Sequence, residues 1–520
     1  IKFNIMDYFA KVAQESPNRP KRSGYDLSHS VKQSQSLGKI CPSMVLDVVP
    51  GDDFDIRNAI VARTNAMITP LLHHVDIRTD YFYVPYRILS DNFEEFLKDP
   101  KSNLILPNIN LSAFITLLQQ GYRYSGFGSL ADYLGLPMSR IDTLAFQGDD
   151  VSNFQVSLFP FMAYQLIYHE WYQYKKMQEY DNFIEDFVKP MRQVTTLQYD
   201  STTSLTTFLG ELLTLRNHIW SRDYFTECTR EPQQGDPVQF PFDGQAPVTN
   251  GVADFGDPDA VVNTLIRDLR CAIDIQYFLE KQNAAGYDYR EVVLQHFGVW
   301  NSDGRLLKPE YIGSTRQNMI HSDVTVTADT DNAVPGEMAG KGFSSSDPNF
   351  VCKNFRVTEH GLILGLTTIL PQSGYFQGVP RLWTRQKPLD FFWPEFQNLG
   401  DQAVLEKELY LCGDNQNVSN DAIFGYNNRF SEFKQIPDRS AGYFNDYLNT
   451  WHLNRHFTAP PTLSSKFEEV RPEADNLNRN FAVLSDNAKV NAHNFYLDIY
   501  HQINAVRPMQ YADTPHVVKL

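Results

Sequence analysis

A mainly β fold, an antiparallel sandwich or barrel with long helical and loop insertions, is what this 520-residue sequence predicts. Three observations lead there. Aromatic residues reach 13%, led by 36 Phe and 27 Tyr, types favoured on half-buried strands and at contact surfaces. Apolar runs of strand length recur between prolines and glycines from Met44 onward. No fixed-period repeat runs through the chain, which argues against solenoids and propellers.

In chain order, residues 1–40 mix Lys, Arg, Ser, Gln and Gly with few large apolar side chains and read as an extended basic arm. From Met44 to Val84 the runs MVLDVV, AIVART, MITPLL and DIRTDYFYVP, punctuated by Pro50-Gly51, Pro70 and Pro85, read as strands. A helical excursion over about 91–220 follows, with helices over Asp91–Leu97, Leu111–Gln120 and Pro160–Gln178. In the last of these Phe161, Tyr164, Ile167, Tyr168 and Trp171 recur at helical spacing. Glu231–Asp259, rich in Pro, Gly, Asp and Gln, reads as a long loop before a helix over Ala260–Lys281. A second polar loop spans His321–Asn349, and β-type runs resume at NFRVTEHGLILGLTTIL, PRLWTR and LDFFWPEF. Residues 41–520 then form one discontinuous domain, with 231–259 and 321–349 as surface insertions. Long loops kept on a strand scaffold point to binding, and the architecture is common in viral jelly rolls.

The charges argue mainly by exclusion. Forty-six basic against 62 acidic residues give a net charge of −16, so the surface as a whole repels nucleic acid and anionic membranes, and any polyanion contact needs a local basic patch. Cys41, Cys228, Cys271, Cys352 and Cys412 include no CxxC pair and are odd in number, which reads as reduced thiols in a cytoplasm. The longest apolar stretch, Gly361–Pro371, is about half of what a spanning helix requires, and the start of the chain has no signal pattern.

Catalytic and metal motifs fail on inspection. His169-Glu170 begins like a zinc-protease helix, but Gln173 stands where the second His is needed. His73 and His74 would point to opposite faces if their segment is a strand, so they do not easily chelate one ion. Gly336–Gly342 misses the spacing and the Ser or Thr of a phosphate loop and reads as a flexible loop; Asp329–Asn332 lacks the rest of a calcium loop, and Gly148–Asp150 reads as a turn. No GxSxG elbow is present. No catalytic residue, metal or cofactor is expected. A jelly-roll carbohydrate-binding or hydrolysing protein is the alternative, because two facing carboxylates need no sequence motif.

Longer strings resemble those of the Microviridae major capsid proteins, particularly the gokushovirus type. They begin with Val48-Val-Pro-Gly-Asp-Asp-Phe54, Ala62-Arg63, Thr69-Pro-Leu71 and Tyr81-Phe-Tyr-Val-Pro-Tyr-Arg87. They continue through the aromatic stretch Phe161–Trp171, Arg222-Asp-Tyr-Phe225, Phe297-Gly-Val299, Arg305-Leu306, Pro309–Gly313 and Arg381-Leu-Trp383. Ile423-Phe-Gly-Tyr426, Glu432-Phe433, Pro437, Leu448 and Trp451-His-Leu453 complete the series, in the family's order. The resemblance weakens in Glu231–Asp259, in His321–Asn349 and past Pro460.

The resemblance implies an eight-stranded viral jelly roll and a coat protein, not an enzyme, that self-assembles into a T=1 icosahedral shell around circular single-stranded DNA. Its partners are then itself, the packaged DNA, a small basic packaging protein, minor pilot or spike proteins and a host surface receptor, with no membrane. Assembly takes place in the host bacterial cytoplasm and the product is the virion. Arg19, Lys21 and Arg22 are the candidate DNA contacts. Gln233, Gln239, Asp243 and Asp254 stand for a threefold protrusion placed in Glu231–Asp259, a candidate host contact.

Overall fold

The computed structural model describes residues 22–98, 105–110, 127–138, 140–141, 154–173, 192–193, 196–197, 203–233, 248–249, 252–253, 266–285, 294–295, 307–325, 338–397, 400–413, 418–484, 491–509 and 511. Eleven strands build its two main sheets. They are β1 (Ser23–Asp26), β2 (His29–Gln35), β3 (Cys41–Val48), β4 (Asp53–Thr64), β5 (Val75–Pro85), β6 (Glu310–Asn318), β7 (Ile320–Thr325), β8 (Met338–Ser345), β9 (Asn349–Arg356), β10 (Gly361–Pro371) and β11 (Phe495–Arg507).

The first sheet sets β1 and β2 along β11, β11 along β4, β4 along both β8 and β9, and β7 outside β8; the second runs β6-β5-β10-β3. All these pairings are antiparallel. The chain passes from one sheet to the other between β2 and β3, β3 and β4, β4 and β5, β6 and β7, β9 and β10, and β10 and β11, so sequence neighbours face each other across the core as in a jelly roll. β1 and β2 lie one after the other along β11, and β8 and β9 one after the other along β4.

Side-chain alternation explains why the first sheet has one wet face. In β4, Phe54, Ile56, Ile60 and Ala62 are buried while Arg57, Val61 and Arg63 are exposed; β11 buries Phe495, Leu497, Ile499 and Ile503 and exposes Tyr496 and Tyr500. β10 is instead buried on both faces. Ile363 and Ile369 enter the sandwich core, and Leu362, Leu364 and Leu366 pack outward on the helix α1 (Phe159–Ile167). Leu-Ile-Leu without alternation is what such double burial requires.

A buried histidine stitches the sandwich. His501 on β11 donates from Nε2 to the Ser43 carbonyl on β3 at 3.0 Å, so its Nδ1 accepts from the Tyr81 hydroxyl on β5 at 2.8 Å. Burial holds this imidazole neutral, pushing it down to about 4.

The first helical excursion covers the outside of the second sheet. Tyr164 donates to the Ile40 carbonyl at 2.9 Å and Trp171 to the Pro309 carbonyl at 3.0 Å. The expected helix over Pro160–Gln178 is α1 followed by a π turn over Tyr168–Tyr172, and Gln173 is already extended. The helix expected from Ala260 is described over Ile266–Ala285; the one expected over Leu111–Gln120 lies outside the described residues.

Three expectations are corrected. MITPLL forms no strand: Met67 makes isolated bridges to Gly340 and Phe481, and Pro70 leaves no donor for a ladder. Gly336–Gly342 is not a loop throughout, because from Met338 it is strand β8. PRLWTR and LDFFWPEF are not strands but 3₁₀ turns over Arg381–Trp383, Pro388–Asp390 and Pro394–Phe396. Pro380, Pro388 and Pro394 recur too closely for a sheet ladder and each sets the φ of a turn.

Candidate assembly surface

The chain between β10 and β11 departs from the sandwich and, with Tyr224 and Phe225 from the earlier excursion, builds a separate small core that includes Tyr375, Leu409, Phe424 and Phe467. Much of its apolar side-chain surface remains outside. Leu382 is 67% exposed, Trp383 74%, Leu389 66%, Tyr443 72%, Tyr447 80% and Ile436 90%, and Phe391, Phe392 and Trp393 are about half exposed. Water-facing aromatics at this density mark a surface made for another protein.

The platform is held rigidly from beneath. Asp390 accepts the backbone N–H of Gln386 and Lys387 at 2.9 and 2.8 Å, which keeps its carboxyl below the ordinary value, and the Trp393 indole donates to the Pro388 carbonyl at 2.8 Å. Arg385 lies 4.4 Å from the Phe433 ring centre and 3.4 Å from Glu432, while Phe392 meets Phe430 edge-on at 4.9 Å. Glu432 also takes the Gln402 amide at 2.6 Å and faces Arg381 at 3.8 Å. Arg381 in turn sits 3.7 Å from Glu408, to which the Tyr224 hydroxyl donates at 2.9 Å. Burial pushes Glu408 up, and Arg381 opposes that. A surface fixed in this way has little conformational entropy left to lose on association.

Deeper down, Asp223 ties the insertion to the sandwich edge. It accepts the hydroxyls of Ser373 at 2.7 Å and Tyr375 at 2.8 Å and the backbone N–H of Phe225 and Thr226 at 2.9 Å. Arg455, fully buried, pairs with Asp475 at 3.1 Å, donates to the Phe467 carbonyl at 2.9 Å and lies 4.1 Å from the Phe467 ring centre. The RDYF string and the string ending in Trp451-His-Leu453 are therefore supports of this platform, with Leu453 in the core and His452 bonded to the Phe444 carbonyl at 2.7 Å.

The sequence-predicted site residues are not brought together. Arg22 donates to Asp53 and to the Gly51 carbonyl, both at 2.6 Å, at the sheet edge. Arg19 and Lys21 lie outside the described residues, as do Gln239, Asp243 and Asp254. Gln233 accepts from the Gln276 amide on the helix Ile266–Ala285. Of the weighed metal motifs, His169 is bonded through Nδ1 to Gln173 at 2.9 Å, His73 to the Gln372 carbonyl at 2.8 Å, and His74 faces Asp76 at 3.2 Å. Burial drives the Cys41 thiol up to about 12, an inert value. Among the described residues no group of His, Cys, Asp or Glu is placed to hold a metal ion.

The platform residues escaped the sequence reading as a surface, although Arg381-Leu-Trp383 was legible as a string. The available signal was proline spacing combined with Trp and Phe that do not alternate.

A two-sheet jelly roll that carries a braced insertion with many exposed apolar side chains is the build of a structural subunit that associates with protein. The comparisons agree: the chain belongs to the phage capsid protein (F protein) family, whose model matches residues 13–263 and 257–517. It is similar to the capsid protein VP1 of Chlamydia phage 1, 26% identical with 95% of each chain covered, and to that of Bdellovibrio phage phiMH2K, 27% identical with 94% of each covered. Capsid protein VP1 of Spiroplasma virus 4 is 25% identical over 96% of each chain. The family is structural, not enzymatic.

Proposed function

We propose that this chain is the major coat subunit of a T=1 icosahedral shell enclosing circular single-stranded DNA, assembled in the host bacterial cytoplasm and carried in the virion. The observation that carries this reading is the set of outward-facing apolar side chains on the insertion, Trp383, Ile436 and Tyr447 among them, with ion pairs of Arg381 and Arg385 to Glu432 bracing the turn that carries Trp383. Closed shells need several unlike contacts per subunit, and a preorganised aromatic surface suits one of them. Residues 231–259, with Gln233, Gln239, Asp243 and Asp254, are the protrusion offered to a host receptor; Pro and Gly content suits an exposed loop. Arg19 and Lys21 in the basic arm are phosphate contacts, whereas Arg22 spends its charge on Asp53. A net charge of −16 leaves most of the genome's charge to a small basic packaging protein, and pilot or spike proteins complete the particle.

The deciding measurement is particle mass by light scattering with negative-stain imaging. Closed shells are expected; a monomer or dimer under every assembly condition would overturn the proposal. Deleting Gln233–Asp254 is expected to leave shells intact and reduce attachment, and loss of assembly would place that loop in the shell wall.

A further inference from the structure

The wet face of the first sheet carries a pattern that neither the sandwich nor the insertion uses. Register places Arg63 on β4 directly between Phe343 on β8 and Tyr496 on β11. Arg57 lies directly beside Phe350 on β9, with Tyr500 on the adjacent strand diagonally across. Lys341 lies two residues before Phe343 on the same face of β8. Phe350 is 58% exposed, Phe343 45%, Tyr500 42% and Tyr496 40%, and Arg57, Arg63 and Lys341 are exposed as well.

Among the described residues the side chains of Arg57, Arg63 and Lys341 make no ion pair or hydrogen bond, the Ser322 hydroxyl donating only to the Lys341 carbonyl. Between the levels of Arg57 and Arg63 the described strand residues place one carboxylate on this face, Asp498, opposite Lys32 on β2. Asp55 comes two residues before Arg57 on the same face of β4 and accepts the Asn354 backbone N–H at 2.7 Å, and Asp26 and Asp53 lie beyond it at that end, where Arg22 pairs with Asp53. A chain with 62 acids to 46 bases thus exposes a cationic area threaded with flat rings.

We propose that this face is a platform for single-stranded nucleic acid, on which Arg57, Arg63 and Lys341 meet phosphates while Phe343, Tyr496, Phe350 and Tyr500 stack bases. The inference rests on the coat-protein reading and names which surface turns toward the genome. Charge selects the occupant. Unpaired cations favour a polyanion, and rings spread over a flat sheet accept bases of any sequence because every base has a π face. Arg57 to Arg63 spans roughly 20 Å at about 3.4 Å per residue, a path for a strand and not a pocket for a mononucleotide.

The test uses the full-length unassembled chain, an oligothymidylate longer than the roughly 4–16 nucleotides typical of such platforms, and fluorescence anisotropy across salt concentrations. R57Q with R63Q should lower the slope of log affinity against log salt by about 1.4, at roughly 0.7 for each phosphate no longer neutralised, and R57K with R63K should keep it. Y496A with Y500A should weaken binding about tenfold or more at fixed salt. Shells formed by the glutamine variant should keep their protein mass and carry less DNA. An unchanged slope, or a wild-type chain that fails to bind the oligonucleotide, overturns the proposal. A glutamine variant that melts normally but no longer forms shells overturns it in favour of a contact with a second copy. Loss of a small basic protein from shells, with oligonucleotide binding unchanged, overturns it in favour of a protein partner. Failure of the coat reading itself would appear separately, as a wild-type chain that never assembles.

Discussion

Replacing Trp383 with Ala tests whether the rigid insertion is an assembly surface. An indole offers roughly 150–250 Å² to a partner, and Trp383 is 74% exposed, so roughly 110–185 Å² is available for burial. At about 25 cal/mol per Å² that area is worth about 3–4.5 kcal/mol. Ordering the interface takes back about 0.5–1.5 kcal/mol per side chain. The cost is held low here because the Trp383 backbone N–H already donates to the Pro380 carbonyl at 2.9 Å and closes its turn. A net loss of about 2–3 kcal/mol on truncation raises the concentration threshold for assembly roughly 30- to 150-fold, at 1.4 kcal/mol per tenfold. The assay is light scattering as a function of subunit concentration, with Trp383→Phe expected to recover most of the loss. Melting of the unassembled chain should shift little, since the side chain is mostly in water there. A threshold within about twofold of wild type would refute the argument that this surface is buried on assembly.

Other outcomes follow from the interior. Asp475→Ala strands the buried Arg455 guanidinium and should cost about 3–5 kcal/mol in denaturant unfolding, whereas Arg455→Met combined with Asp475→Leu should restore most of it; equal losses from the two would show that the charge pair is not the cause. Burial pushes His73, His218, His321 and His501 each down to about 4 from 6.5. The unfolded chain therefore takes up protons first, so stability is full above about 6.5 and falls as pH drops toward 4; a melting temperature that stays flat over that window refutes it. Burial holds Glu468 up to about 8, with Arg222 and Arg455 opposing. Its contribution is present below the ordinary 4.5 and is lost as pH rises through 8, so Glu468→Gln should flatten the alkaline side of the melting profile. In Gly378→Ala the new Cβ would collide with the Glu408 carbonyl oxygen, and proteolysis of the insertion should quicken while the sandwich stays protected.

The sequence by itself determined the β class, the strands β3, β4, β5 and β10, and the aromatic helix, because those depend on local periodicity: alternation in DFDIRNAIVART, unbroken apolarity in GLILGLTTIL, helical spacing from Phe161 to Trp171. Its ordered strings also pointed to the capsid family that the comparisons then showed. Tertiary structure decided what local pattern cannot encode. Met67 was left out of the sheets by Pro70, PRLWTR became a turn by Pro380, and Trp383 points outward, a fact about what surrounds it and not about its neighbours in sequence. The same holds for Arg22 and Arg63. Both are arginines in polar or alternating contexts, but only the register of strands distant in sequence gives Arg63 two aromatic neighbours and, among the described residues, no ion pair, and only the fold of the sheet edge gives Arg22 the carboxylate of Asp53. Pairing across such separations is set by global packing, and the physical chemistry of a site lives in that packing.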